Sequence, residues 1–298
     1  MVKVVILGKE KSSKLHRQSW DRIAGSDTTV RIGSAAALQE AVDIGADMID
    51  VCLPADQRTD YIRSAAKKGL DVICEAPLAA SLSEVKSAAA ACLTAGTSLY
   101  VIGSRRYEPA YADAKRQLDA KALGVPGVIR LAGSAVRPAG NANLFYEAGM
   151  KEFDFLLWLL GDVERVMAHF IQRKQKDGGE LEFAMITLRM KNGTIAHVEL
   201  SWAQDKADAS FELTGNLGML TYSSRASSPI IAEWTNDNVD LEEGLLVKNP
   251  LQRELEAIIS GRPLFTAQDA LQAMQVAEAA QKSAEIGQPV TMERGVLQ

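Results

Sequence analysis

The chain has 298 residues, 47% hydrophobic and 24% charged, with 33 Lys and Arg against 38 Asp and Glu for a formal charge of −5. That is a globular protein of two ordinary domains or one large one, and it excludes disorder, collagen-like structure and low complexity as descriptions of the whole chain. A pI near 5.4 argues against nucleic acid or an anionic membrane as a general partner, because neither polyanion attracts a net-acidic protein.

Val2–Leu7 is a near-continuous apolar run, as expected of a strand buried on both faces of a parallel sheet. Met48–Leu53, Leu70–Cys74 and Ser98–Ile102 read the same way. The run after Lys3 is too short for a signal-peptide core, and no stretch approaches the ~20 apolar residues of a membrane span, so a soluble cytoplasmic protein is expected. Helical patterns separate the strands. Gln57–Lys68 closes on two lysines and Gly69, which suit a helix C-terminus and a left-handed cap. Ser81-Leu-Ser-Glu84 is a capping box opening a helix that stops at Gly96. This alternation predicts βαβ crossovers and a doubly wound parallel sheet over residues 1–122. Cys52, Cys74 and Cys92 are too few and too odd in number for a disulfide framework, and are expected to be reduced.

After Gly124 the texture changes. Val125–Val136 reads as a long strand, followed by a helix around Phe145–Leu160 that ends at Gly161. Leu181–Met190 and Thr194–Trp202 are joined by Lys191-Asn192-Gly193, and Asn-Gly favours the tight turns of antiparallel hairpins. Phe211–Leu213 and Met219–Tyr222 continue the sheet, and helices near Pro250–Ser260 and Ala267–Ile286 close the chain. Residues 123–298 are therefore expected to form an α+β domain with an open, mostly antiparallel sheet carrying Trp202 and Trp234, its last helix free to pack back on the first domain. A face bearing Phe183, Met185, Ile195, Val198 and Trp202 is costly to leave in water. A homodimer or homotetramer through this sheet is expected.

The turn after the first strand is where a dinucleotide-binding fold keeps G-x-G-x-x-G. Here it reads Gly8-Lys9-Glu10-Lys11-Ser12-Ser13, and only the first glycine survives. Either Gly8, Lys9, Ser12 and Ser13 receive a phosphate at the helix N-terminus, or the turn is structural. The second strand, Thr28–Ile32, ends without the carboxylate that would hold an adenosine ribose. Either Arg31 or Ser34 meets a 2′-phosphate there, or this is a trimmed surface strand. Glu75-Ala76-Pro77 either points into the crevice at the strands' carboxyl ends or turns the chain into the next helix. His16, His169 and His197 have no second ligand at metal spacing, so no metal site is expected. No nucleophile motif is present.

Taken together, the chain resembles the Gfo/Idh/MocA oxidoreductases (glucose–fructose oxidoreductase, inositol dehydrogenase and relatives) nearly end to end. Gly8 through His16 takes the place of that family's G-x-G-x-x-G-x-x-H, and Leu53-Pro54-Ala55-Asp56 that of its loop after the third strand. Glu75-Ala76-Pro77-Leu78-Ala79 stands for its E-K-P-L-A, and Gly103-Ser-Arg105-Arg106-Tyr107-Glu-Pro109 for its G-x-x-R-x-x-P. Glu147-Ala-Gly149-Met-Lys151-Glu-Phe-Asp154, running on to Trp158 and Gly161, matches D-x-G-x-H-x-x-D-x-x-x-W-L-L-G. Phe211 to Gly218 and Ser283 to Val290 carry further signatures of the sheet and the last helix.

The resemblance implies a Rossmann-like first domain and an NAD(P)-dependent oxidoreductase, with NAD or NADP as cofactor and a small sugar, inositol or related polyol or carbonyl compound as substrate. It places cofactor contacts at Gly8, Lys9, Ser12, Ser13, Leu53, Pro54, Glu75 and Pro77, and substrate contacts at Arg105, Arg106 and Tyr107. The departures are as informative. The family's catalytic lysine is Ala76 here, and its aspartate and histidine are Glu147 and Lys151. Lys151, partnered by Glu147 at i, i+4 on one helix face, is the candidate for proton transfer, and acts more readily as acid than as base. The alternative is a catalytically inactive family member that binds a sugar-like ligand or partner and holds nicotinamide cofactor weakly or not at all.

Overall fold

The computed structural model describes residues 2–8, 10–23, 25–31, 35–138, 142–174, 180–202, 207–226, 230–234 and 249–292. The chain divides into two compact units, one of Met1–Tyr107, Leu246–Leu271 and Val296–Gln298, the other of Glu108–Leu245 and Gln272–Gly295. The first break falls at Tyr107 rather than at the expected residue 122, because the helix after Pro109 belongs with the second sheet.

The first unit runs β1 (Val2–Gly8), α1 (Glu10–Trp20), β2 (Ser26–Arg31), α2 (Ala35–Asp43), β3 (Met48–Cys52), α3 (Ala55–Lys67), β4 (Asp71–Glu75), α4 (Leu82–Ala95) and β5 (Leu99–Ile102). Its five strands pair in parallel in the order β2-β1-β3-β4-β5, the doubly wound sheet expected. Val4, Val5, Ile6 and Leu7 are almost wholly buried, as a central strand covered on both faces requires. The capping box forms: Ser81 Oγ accepts from the Glu84 N–H at 3.3 Å, and Gly96 ends α4 in the left-handed conformation.

The second unit holds α5 (Pro109–Asp119), β6 (Pro126–Ser134), α6 (Leu144–Glu147), α7 (Gly149–Leu160), β7 (Val163–Lys174), β8 (Glu180–Met190), β9 (Ile195–Ser201), β10 (Asp208–Gly215), β11 (Gly218–Ser223) and β12 (Ile230–Trp234). The chain then returns to the first unit as α8 (Pro250–Ile259), whose Leu255 and Ile258 pack with Val4, Ile6, Trp20 and Ile73. It ends in α9 (Ala267–Ile286) and β13 (Val290–Thr291). From Gln272 onward α9 lies with the second unit, where Ser283 Oγ accepts from the Ala168 N–H at 3.0 Å. The first residues of α9, to Leu271, belong to the first unit together with α8.

The eight-stranded sheet, β12-β11-β10-β6-β9-β8-β7-β13, is antiparallel except for the β6–β9 pairing. Lys191–Gly193 closes the expected hairpin, with Gly193 at a φ of 90°. Two expectations change. The helix expected over Phe145–Leu160 is interrupted at Ala148. Gly149 sits so close to its neighbours that a Cβ there would lie 2.9 Å from Leu200 Cδ1. The expected apolar face also mixed two faces. Strand residues alternate sides, so Phe183, Met185 and Ile195 point outward, while Val198 and Trp202 lie on the other face, at 0% and 5% exposure.

Candidate functional site

The carboxyl edge of the parallel sheet gathers residues far apart in sequence. Gly8 pairs with Cys52 and Val51 with Cys74, so the chain leaves β1, β3 and β4 side by side. α1 begins at Glu10, directly after this edge, and its N-terminal amides are the place where a phosphate is received in such sheets. The next two loops are tied together by buried Arg58 on α3. Its guanidinium donates to the carbonyls of Leu53 (2.5 Å), Glu75 (2.7 Å) and Pro77, and its Nη2 lies 3.5 Å from the Glu75 carboxylate. The Ala76–Pro77 peptide is cis. Of the expected cofactor residues, Gly8, Leu53, Pro54, Glu75 and Pro77 therefore meet at one edge. Ser13 is buried within the unit at 1% exposure. Lys9 and the Ser12 side chain lie outside the described residues, as do the side chains of Arg31, Ser34 and Trp234.

Beneath that edge lies a charged network that the sequence reading missed. His16 on α1 is 2% exposed and Asp50 on β3 is 0% exposed. His16 Nδ1 approaches both Asp50 oxygens at 2.9 and 3.0 Å, and Nε2 lies 3.0 Å from Glu75 Oε1. Trp20 Nε1 donates to Asp50 Oδ2 at 2.8 Å, and Cys52 Sγ lies 3.6 Å from Oδ1. Burial alone would push the imidazole toward neutrality. The Asp50 charge, with the hydrogen bonds to Asp50, Cys52 and Glu75, outweighs it and raises the pKa well above 6.5, so His16 is an imidazolium. Burial and the Asp50 charge push the Cys52 thiol up to about 12, and burial does the same to Cys74. The ligand-type atoms of His16, Asp50 and Cys52 lie within 4.8 Å of one another. Their donors and acceptors are already matched in hydrogen bonds, with an indole N–H directed at Asp50, which is not the chemistry of a cation site. The legible signal was an aspartate in the middle of the apolar run Met48–Leu53.

The residues expected to contact substrate lie just after β5. Arg105, Arg106 and Tyr107 form a 3₁₀ turn after β5. Arg106 is buried. It donates to the Leu264 carbonyl, pairs with Asp269 at 3.0 Å and stacks 5.4 Å from the Phe265 ring centroid. Tyr107 Oη accepts from the Leu264 N–H at 2.7 Å. Buried Glu254 on α8 accepts from the Gly103 N–H at 2.8 Å. These groups fasten the returning segment to the first sheet, and Arg105 is half-buried beside them.

In the second unit Glu147 ends α6 and Lys151 lies in the first turn of α7, so the i, i+4 pair spans the junction at Ala148. Lys151 is exposed and Glu147 half-buried. No ion pair joins them among the described residues. Next to them Glu152 and Asp154 are buried at 1% exposure each, and burial together with Glu278 and Glu285 pushes the Tyr146 phenol up to about 12.

Comparison with known proteins covers both units. Residues 4–102 match the oxidoreductase family model described as an NAD-binding Rossmann fold, and residues 111–221 match the GFO/IDH/MocA C-terminal domain. The chain is 26% identical over 269 residues to an uncharacterized oxidoreductase, YrbE, of Bacillus subtilis, covering 83% of this chain and 78% of that protein. It is 28% identical over 264 residues to inositol 2-dehydrogenase 1 of Saccharopolyspora erythraea, covering 84% and 78%. The fold is that of the WlbA dehydrogenase of Bordetella pertussis, solved with NADH and UDP-GlcNAcA, at a TM-score of 0.81 and 18% identity over 99% of both chains. Among the described residues no helix is long and apolar enough to cross a membrane.

Proposed function

Because the chain belongs to the Gfo/Idh/MocA oxidoreductases, whose first domain is an NAD-binding Rossmann fold, we propose that it is an NAD(P)-dependent dehydrogenase or reductase of a sugar, inositol or related polyol. The observation that carries this reading is the convergence of Gly8, Leu53, Pro54, Glu75 and Pro77 at one sheet edge, beside the N-terminus of α1. This donor set fits a dinucleotide: helix amides for the diphosphate, and a half-exposed carboxylate for a hydroxyl or amide of the nicotinamide half. When bound, the nicotinamide ring supplies hydride transfer to or from a carbinol carbon. What falls to the chain is the oxygen's proton. Ala76 carries no titratable group, so Lys151 is the donor to the substrate oxygen in this reading, with Glu147 as its proposed partner one helical turn earlier. An ammonium is already an acid, which favours the reductive direction. The buried, unpaired cysteines support a reducing compartment.

The assembly reading is a homodimer or homotetramer through the outward face of the second sheet. Met185 is 47% exposed there, beside half-buried Phe183 and Ile195. A depression of about 380 Å³ lined by Arg130, Met185, His197, Glu199 and Glu212 gives a second copy something to fill.

The test is titration of the full chain with NADH and NADPH by fluorescence or calorimetry, followed by assay of inositols and aldoses with the tighter-binding nucleotide. Micromolar binding and turnover of any polyol would support the proposal. Failure of both nucleotides to bind at millimolar concentration would end it.

A further inference from the structure

We propose that His16 is a positioning residue: anchored by Asp50 beneath it, its ring holds the Glu75 carboxylate at the sheet edge in the orientation that receives a donor group of the bound nicotinamide nucleotide. This rests on the dehydrogenase reading above and adds a residue that touches no ligand.

The argument is the gradient of burial along the chain of contacts. Asp50 is 0% exposed and has every oxygen engaged, by His16, Trp20 and Cys52. His16 is 2% exposed and has both nitrogens engaged. Glu75 is the one member that reaches solvent, its side chain 45% exposed. The three come from β3, α1 and β4, so the network runs from the buried sheet to its edge, and its half-exposed end stands where Gly8, Leu53 and Pro77 meet. An ion pair serving packing alone gains little by ending on a half-exposed carboxylate, since water screens it. Ending there does serve a ligand, because a carboxylate fixed in place loses little freedom on binding. Among the described residues, the charged and titratable groups facing His16 are Asp50 and Cys52 from β3 and Glu75 from β4, with Arg58 of α3 on the far side of Glu75.

The test uses NADH as probe and the full chain in four forms: parent, His16→Gln, Glu75→Gln and the double variant, each checked for folding by circular dichroism. His16→Gln and Glu75→Gln are each expected to raise the NADH dissociation constant about tenfold or more, the double variant no further than the worse single one. Wild-type affinity in a folded His16→Gln protein, or additive losses in the double variant, would overturn the proposal. If His16→Gln does not fold, Asp50→Asn decides. With its anchor neutral, His16 loses the strongest influence that keeps its proton, so NADH binding should weaken as the pH rises from about 5 to about 8 while the parent stays flat. A flat profile in Asp50→Asn rejects the positioning role, because loss of packing alone gives no such pH dependence. A parent chain that binds no NADH or NADPH would instead sink the dehydrogenase reading itself.

Discussion

Raising the pH from about 7 to about 9 should destabilise this protein through His16. Its ordinary pKa of 6.5 applies to the unfolded chain, and its folded value is raised. A raised folded pKa contributes stability that is fully present below the unfolded value and is lost as pH rises toward the folded one. Above pH 6.5 the unfolded chain therefore sheds a proton that the native protein keeps, and the free energy of unfolding falls by about 1.4 kcal/mol per pH unit. Allowing for partial titration of the unfolded imidazole near pH 7, the loss over the window is about 2.5 kcal/mol, a sizeable part of an ordinary domain's stability. The three thiols, all with raised folded values, act in the same direction once the unfolded cysteines ionise. Comparison with His16→Gln removes them, because they are common to both proteins. Urea unfolding under reducing conditions at several pH values measures the difference. The parent should lose about 2.5 kcal/mol more than the variant over the window. Parallel pH profiles for the two proteins would refute the charged assignment of His16.

Three other outcomes follow from other parts of the fold. Gly215→Ala places a Cβ 2.0 Å from the Leu123 carbonyl oxygen, which also accepts from the Leu217 N–H. It should cost about 2–4 kcal/mol by urea unfolding, and a change under about 0.5 kcal/mol would contradict the close approach. Once a substrate is in hand, Lys151→Met should lower turnover roughly 100-fold; turnover within a few-fold of the parent would remove Lys151 from the chemistry. Met185→Asp on the outward sheet face should shift the chain to monomer in light scattering at micromolar concentration, and an unchanged assembly would move the interface elsewhere.

The strands of the first sheet were readable because each is a continuous apolar run between caps, and such runs have few other uses. The second sheet was readable as hairpins, but its faces were not: Val198 and Ile195 are three residues apart, and odd spacing puts them on opposite sides. The break at Ala148 was not legible either, because Ala148 keeps helical dihedrals there and carries no breaker signal in the sequence. Separation along the chain hid the His16 network. Spacing rules look for partners within a few residues, whereas His16 meets Asp50 and Glu75 only because the fold brings α1 against the neighbouring strands β3 and β4. Arg106 shows the converse. Its place in a family motif pointed to substrate, but α8 and the segment after it bring Leu264 and Asp269 to its guanidinium.

Arg58 grips the loops after β3 and β4 by main-chain oxygens, those of Leu53, Glu75 and Pro77. Every amino acid presents the same carbonyl, so apart from the Glu75 carboxylate beside Arg58 Nη2 the clamp makes no use of the side chains it holds. Position 76 lies inside the clamped stretch without contributing to it. The clamp takes its bonds from the carbonyls of Leu53, Glu75 and Pro77, so a lysine in place of Ala76 removes none of them. The side chain at position 76 is thereby uncoupled from the bonds that shape this edge.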